Sequence, residues 1–279
     1  MTNIQWYPGH MEKARRQMEE ELKLVDIIIE IRDARFPNGS SNPVLGKLAN
    51  NKPRLIILNK ADLANQEENR KWKETLEKDN RCLLVNSTHD NLAKTVVDEV
   101  KDILKAKLER AKARGIRKKS LRAMVVGIPN VGKSTFINNI VKKKIAKTEN
   151  RPGVTRNLQW IRLNDDVELL DTPGVLWPKF DDENTAILLA LLGSINDDIL
   201  DKEALVNYGL NYLKREYPGV LNRRYGIDES KDNLLEEIAA EKKWLSSSGV
   251  INRDKAYDAI LKDIRNNEIK NITWEKIDA

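Results

Sequence analysis

The chain has 279 residues, 40% of them hydrophobic and 33% charged, with a formal net charge of +6. Its apolar runs fall well short of the roughly 18 residues that a membrane span needs, its first residues carry no apolar secretory core, and a single cysteine, Cys82, excludes an internal disulfide. The expectation is a cytoplasmic protein, long enough to bury its core in one large or two ordinary domains.

Up to about residue 178, short β-branched runs alternate with amphipathic stretches. Residues 25–32 (VDIIIEIR), 54–58 (RLIIL), 82–85, 123–126 and 167–170 are predicted strands. Residues 64–79, 91–114 and 133–142 lie between them with helical spacing and charged outer faces. This alternation predicts an α/β fold in which helices cover both faces of a largely parallel sheet. Beyond Pro178 the strand-like runs stop. Residues 183–195, 201–216, 231–245 and 253–265 then read as helices, punctuated by Pro218-Gly219 and residues 246–249. The predicted organisation is an α/β domain over 1–180 and a smaller all-helical domain over 181–279.

The charge is uneven. Residues 101–122 carry 10 basic against 2 acidic side chains, whereas residues 180–279 carry 14 against 20. The basic stretch is either an electrostatic footprint on a polyanion or a solvated helix face. If it is a footprint, Arg114, Arg117, Lys118, Lys119, Arg122 and the run Lys142-Lys143-Lys144 are the candidates to neutralise the polyanion. The acidic C-terminal domain would need a local patch such as Arg223-Arg224 or Lys242-Lys243, or recognition by shape.

Chemistry enters at Gly127-Ile-Pro-Asn-Val-Gly132-Lys133-Ser134, which matches G-x-x-x-x-G-K-[ST] between a predicted strand and a predicted helix. Backbone N–H groups there curl around phosphate oxygens and the helix N-terminus adds partial positive charge. Asn130, Val131, Gly132, Lys133, Ser134 and Thr135 are expected to hold a nucleoside triphosphate. Lys133 would reach the β- and γ-phosphates and Ser134 would ligate Mg²⁺. Asp171-Thr-Pro-Gly174 follows the strand at 167–170, so Asp171 can hold Mg²⁺ through water and the Gly174 N–H can meet the γ-phosphate. Between the two motifs, Thr155 in Arg151-Pro-Gly-Val-Thr155-Arg156 can add a second hydroxyl to Mg²⁺ when γ-phosphate is present.

The base is read from Asn59-Lys60-Ala61-Asp62. Asp62 can accept from guanine N1 and N2, Asn59 can bond N7, and the Lys60 stem can lie across the ring. Read alone, Asp62 is equally the cap of a helix starting near Leu63. Residues Asn86-Ser87-Thr88 follow the next strand, and a backbone N–H of Ser87 or Thr88 is a candidate for guanine O6. GTP or GDP with Mg²⁺ is therefore the expected ligand.

The order of these motifs is inverted, because the base-reading segments precede the phosphate-reading ones. With that order the chain resembles the circularly permuted GTPases, and Trp6-Tyr7-Pro8-Gly9-His10-Met11 narrows the resemblance to the bacterial ribosome-biogenesis group, nearly end to end. The resemblance implies a permuted P-loop GTPase domain followed by a helical RNA-binding domain, and late maturation of the large (50S) ribosomal subunit. It implies ribosomal RNA and ribosomal proteins as partners, with no DNA and no membrane, and a monomer is expected.

Val175 stands where many GTPases carry a water-orienting Gln. The resemblance assigns that task to His10, making His10, Lys133, Thr155 and Gly174 the catalytic set. It also implies K⁺ at Asn130, whose alternative role is to turn the loop. The competing function is a GTP-gated binding scaffold in which hydrolysis is incidental.

Overall fold

The structure is a computed structural model that describes residues 9–43, 52–115, 120–142, 158–177, 182–195, 201–247, 249–266 and 268–277, with side chains from Met11 onward. The chain divides into two compact units, residues 1–181 together with 273–279, and residues 182–272. The helical segment expected over 181–279 thus stops short of the C-terminus, because the last seven residues return to the first unit.

The first unit is built on a six-stranded sheet of order β3-β2-β1-β4-β6-β5. Its strands are β1 (Ile27–Asp33), β2 (Arg54–Asn59), β3 (Arg81–Val85), β4 (Leu121–Val126), β5 (Gln159–Arg162) and β6 (Val167–Asp171). All neighbours pair in parallel except β5 with β6. The predicted strands are present within one or two residues at most ends. β1 and β2 are almost wholly buried, as expected for a parallel sheet covered on both faces. The antiparallel β5 (QWIR) was not predicted: it is an edge strand in which only Ile161 is buried, so it shows no apolar run.

Among the described residues, the α-helices of this unit are α1 (Gly9–Glu21), α2 (Gln66–Leu76), α3 (Ala93–Ile103), α4 (Lys105–Ala113) and α5 (Lys133–Val141). α1, also not predicted, buries Met11, Ala14 and Met18 at helical spacing. Its outer face pairs Arg15 with Glu12 and Glu19. The single helix expected over 91–114 breaks at Leu104. α3 buries Val96, Val97 and Val100, whereas α4 buries nothing and displays Lys105, Arg110 and Lys112. β1 connects to β2 on one side and pairs with β4 on the other, so chain order reverses between β1 and β4. In open α/β sheets ligands bind beyond the carboxyl ends of the strands at such a point.

The second unit contains α6 (Glu183–Leu191), α7 (Lys202–Glu216), α8 (Val220–Tyr225), α9 (Leu234–Glu241) and α10 (Arg253–Arg265). Asp182, Asp201 and Asn252 cap α6, α7 and α10 through side-chain oxygens that accept from helix N–H groups. Gly219, at φ +85°, starts α8. Arg265 closes α6 by donating to the Leu191 and Ala190 carbonyls at 3.1 and 2.8 Å.

Candidate active site

β4 ends at Val126 and the chain loops over Gly127–Gly132 before entering α5 at Lys133. Asn130 at φ +63° and Gly132 at φ +90° are left-handed, a conformation that Asn and Gly tolerate. A Cβ on Gly127 would lie 2.7 Å from the Ile31 carbonyl oxygen, and one on Gly132 would lie 2.2 Å from Asn59 Nδ2. These glycines bring the loop against the ends of β1 and β2. Ser134 and Thr135, half-buried, open α5, and a helix N-terminus of this kind can receive phosphate oxygens on its first N–H groups. Lys133 is buried, and its Nζ donates to Asp171 Oδ1 at 2.7 Å.

Asp171 closes β6, one strand over from Val125 in register. Thr172 donates its hydroxyl to the Val125 carbonyl at 2.8 Å. A Cβ on Gly174 would lie 3.0 Å from both N and Cα of Pro129, so this loop and the P-loop meet backbone to backbone. Val175 is buried, and its carbonyl accepts from Asn42 Nδ2 at 2.7 Å.

The base side is joined to the phosphate side through two residues. Asn59 Nδ2 donates to the Val131 carbonyl at 2.8 Å, and Asn59 Oδ1 accepts from Ser87 N–H at 3.1 Å. Lys60, itself left-handed at φ +60°, donates from Nζ to the Asn130 carbonyl at 2.6 Å and to Asp33 Oδ2 at 2.8 Å. Asp62 is exposed and does not cap a helix. The cap is Asn65, whose Oδ1 accepts from Glu67 and Glu68 N–H and starts α2 at Gln66.

The 86–88 segment is already held by internal hydrogen bonds. Asn86, Ser87 and Thr88 N–H groups already have acceptors in Asp90 Oδ2, Asn59 Oδ1 and Asn86 Oδ1. Of the three, Ser87 is buried and Thr88 is exposed. The Ser87 side chain is buried and its hydroxyl lacks a partner. The left-handed backbone of Asn130 turns the loop and is compatible with either of its two expected roles.

Sequence reasoning missed Asp33 and Arg35. Arg35 grips Asp33 through Nε and Nη2 at 3.0 and 2.8 Å, both side chains buried, with Lys60 on the same carboxylate. Burial pushes the Asp33 carboxyl up, but Arg35 and Lys60 overcome this and hold it well below the usual range. Burial lowers the Lys60 ammonium even beside Asp33. The signal available was a set of charges, Glu30, Arg32, Asp33 and Arg35, crowding the end of an otherwise apolar strand. Arg32 pairs with Glu30 at 3.0 Å, on the opposite face of β1 by strand alternation.

Direct contacts thus bring Asn59, Lys60, Ser87, Asn130, Val131, Gly132, Lys133, Asp171 and Gly174 into one cluster. Asp62, Thr88, Ser134 and Thr135 adjoin it in the chain. Thr155 and the His10 side chain lie outside the described residues, as do Arg117, Lys118, Lys119, Lys143 and Lys144. Arg122 stacks on exposed Trp160 at 5.1 Å and pairs with Glu168. In the helical unit Arg224 is committed to Asp263 through two bonds of 3.1 and 2.9 Å, so only Arg223, Lys242 and Lys243 of the expected patch are exposed.

A family profile described as "50S ribosome-binding GTPase" matches residues 122–208. The chain is 44% identical over 277 residues to ribosome biogenesis GTPase A of Bacillus pumilus, covering 98% of each. It is 30% identical over 273 residues to ribosome biogenesis GTPase A of Thermotoga maritima, covering 98% of this chain and 94% of that one. Among solved structures it is similar to GDP-bound YlqF of T. maritima, with a TM-score of 0.66 and 27% identity over 94% of this chain and 99% of that chain. The GNP-bound form of T. maritima YlqF matches with a TM-score of 0.64 over 95% and 98% of the two chains.

Proposed function

This chain belongs to the ribosome biogenesis GTPase A family and is a GTP-binding ribosome biogenesis factor, and from that premise we propose that it acts in late maturation of the large ribosomal subunit, binding ribosomal RNA with GTP and leaving after hydrolysis. One observation carries the nucleotide part of the reading. Asn59, from the early base-reading motif, donates to the Val131 carbonyl of the later phosphate loop, so the inverted motif order closes into one site.

In this reading Asp62 accepts from the guanine edge, Asn59 and the Lys60 stem flank the base, and the start of α5 cradles the phosphates. Lys133 has three donors, so it can engage the β- and γ-phosphates while keeping Asp171. The oxygen donors Ser134 and Asp171 suit Mg²⁺, which takes few protein ligands beside nucleotide phosphates. Asp171 Oδ2 lies opposite the oxygen that Lys133 uses, and Thr155 is the second hydroxyl. When bound, Mg²⁺ neutralises phosphate charge.

The Gly174 N–H meets the γ-phosphate. Val175, buried and apolar, offers nothing to orient water, so His10 takes that task. Asn130 contributes to a K⁺ site against the phosphates. RNA contact falls to exposed α4, Arg122 and the basic residues on either side of β4, where phosphate neutralisation is blind to sequence and sensitive to salt.

The test is the GTP hydrolysis rate in K⁺ buffer with and without 50S subunits. A large increase that is lost in His10→Ala supports the subunit-activated reading. No increase with GTP binding intact refutes it and favours a GTP-gated scaffold. Replacing K⁺ by Na⁺ should slow turnover if Asn130 helps hold the cation.

A further inference from the structure

Residues 273–277 pack on the first unit beside the segment that follows β1, and that same segment holds the chain just after Gly174. Trp274 N–H donates to the Arg35 carbonyl at 2.7 Å. The Glu275 carboxylate accepts from Asn38 N–H at 2.8 Å and from Gly39 N–H at 3.1 Å.

On its other side the tail is fixed to α2 and its cap. Trp72 Nε1 donates to the Glu275 carbonyl at 2.8 Å and Ile277 N–H donates to Glu68 Oε2 at 3.1 Å. Thr273 Oγ1 accepts from the N–H of the cap residue Asn65 at 3.0 Å.

The segment between these anchors is tightly folded. Ser40 Oγ accepts from Asp33 N–H at 3.0 Å, and Ser40 N–H donates to the Phe36 carbonyl at 2.9 Å. A Cβ on Gly39 would fall within 2.5 Å of three ring atoms of Phe36, so only glycine lets the ring close over the turn. At its far end, Asn42 donates to the Val175 carbonyl. Glu275 therefore grips one end of a short bridge whose other end fixes the residue after Gly174. Val175 and Glu275 both belong to the first unit, although the sequence of the helical unit lies between them in the chain.

We propose that Glu275 is a positioning residue for GTP hydrolysis: by binding Asn38 and Gly39 N–H it fixes the loop whose Asn42 holds Val175, and so sets where the Gly174 N–H meets the γ-phosphate. This rests on the reading that Gly174 faces the γ-phosphate. A charged acceptor suits the task because hydrogen bonds to a carboxylate are shorter and stronger than neutral ones, and misplacement far from the reacting atoms is costly in rate.

The experiment uses the full chain and compares wild type with Glu275→Ala, Glu275→Gln, Asn42→Ala and the Glu275→Ala/Asn42→Ala double variant. It reads kcat and KM for GTP, and Kd for a fluorescent GDP analogue. Glu275→Ala should lower kcat about tenfold and leave GDP affinity within about twofold, because GDP has no γ-phosphate. Glu275→Gln, whose amide oxygen still accepts, should recover most of the rate.

Asn42→Ala should show the same split, and the double variant should fall no further than the worse single variant. Unchanged kcat in Glu275→Ala, or a parallel loss of kcat and GDP affinity that Glu275→Gln does not rescue, overturns the proposal. Should Glu275→Ala fail to fold, Asn42→Ala with unchanged kcat overturns it equally. Gly174→Ala separates the premise from the proposal: if it leaves kcat intact, the γ-phosphate contact is what fails.

Discussion

Asn59 is the residue on which the base side and the phosphate side of the site lean together, and its loss is measurable without any nucleotide. The side chain is 3% exposed and uses both polar atoms, donating to the Val131 carbonyl at 2.8 Å and accepting from Ser87 N–H at 3.1 Å. Asn59→Ala removes two neutral hydrogen bonds, about 1 kcal/mol each, and leaves two groups of buried residues without their partner. The expected cost is about 2–4 kcal/mol. For a domain of this size each kcal/mol shifts Tm by roughly 2–4 °C, so thermal denaturation of the nucleotide-free protein should show a fall of about 5–15 °C. Asn59→Asp is the sharper variant. It keeps the acceptor for Ser87 but turns a carboxylate toward the Val131 carbonyl oxygen, so at neutral pH it should melt below Asn59→Ala and recover as the carboxylate is protonated. An Asn59→Ala protein melting within about 2 °C of wild type, or an Asn59→Asp protein as stable as wild type, refutes the bracing role.

Other expectations follow from the same geometry. Asp62→Asn swaps an acceptor for a donor opposite guanine N1 and N2, so competition binding should show guanine preference lost and GDP affinity down roughly a hundredfold; unchanged preference would remove Asp62 from the base site. Asp33, held well below the usual carboxylate range by Arg35 and Lys60, adds stability in full above the unfolded pKa near 4, and this is lost as pH falls below that value. Asp33→Asn should therefore unfold at lower urea than wild type at pH 7, with the gap narrowing at pH 3; a constant gap contradicts the ion-pair account. In the helical unit, Arg265→Met removes the donors to the Ala190 and Leu191 carbonyls at the end of α6 and should cost about 1–2 kcal/mol in urea titrations. GTP affinity is the control there and should stay within twofold.

The parts of this molecule legible in the sequence share one property, that their information is local. Gly127–Ser134, Asp171–Gly174 and Asn59–Asp62 each sit at the end of a buried strand within a few residues, so motif and context could be read together. β5 was not legible because an edge strand with one buried side chain has no period to detect. α1 was passed over although Met11, Ala14 and Met18 have helical spacing, because its first residues were read as a motif.

The charges that organise the site behave differently. Asp33 and Arg35 in a strand ending read as an interruption of the apolar pattern. Their meaning appears only when Lys60, just past the end of the next strand, reaches Asp33 and the P-loop carbonyl of Asn130 with one ammonium. Glu275 is the limiting case. A lone acidic residue near the end of an acidic stretch of sequence carries no periodicity, cap or motif, and its partners Asn38 and Gly39 lie toward the opposite end of the chain. Both ends become neighbours only because the sheet places the end of β1 beside α2, where Trp72 and Glu68 hold the tail. A permuted GTPase is where such a contact has most leverage. In chain order the segment after Gly174 leads into the helical unit and the tail leads out of it, and the loop from Asn38 to Asn42 is hydrogen-bonded to both, to the tail through Glu275 and to the chain after Gly174 through Val175.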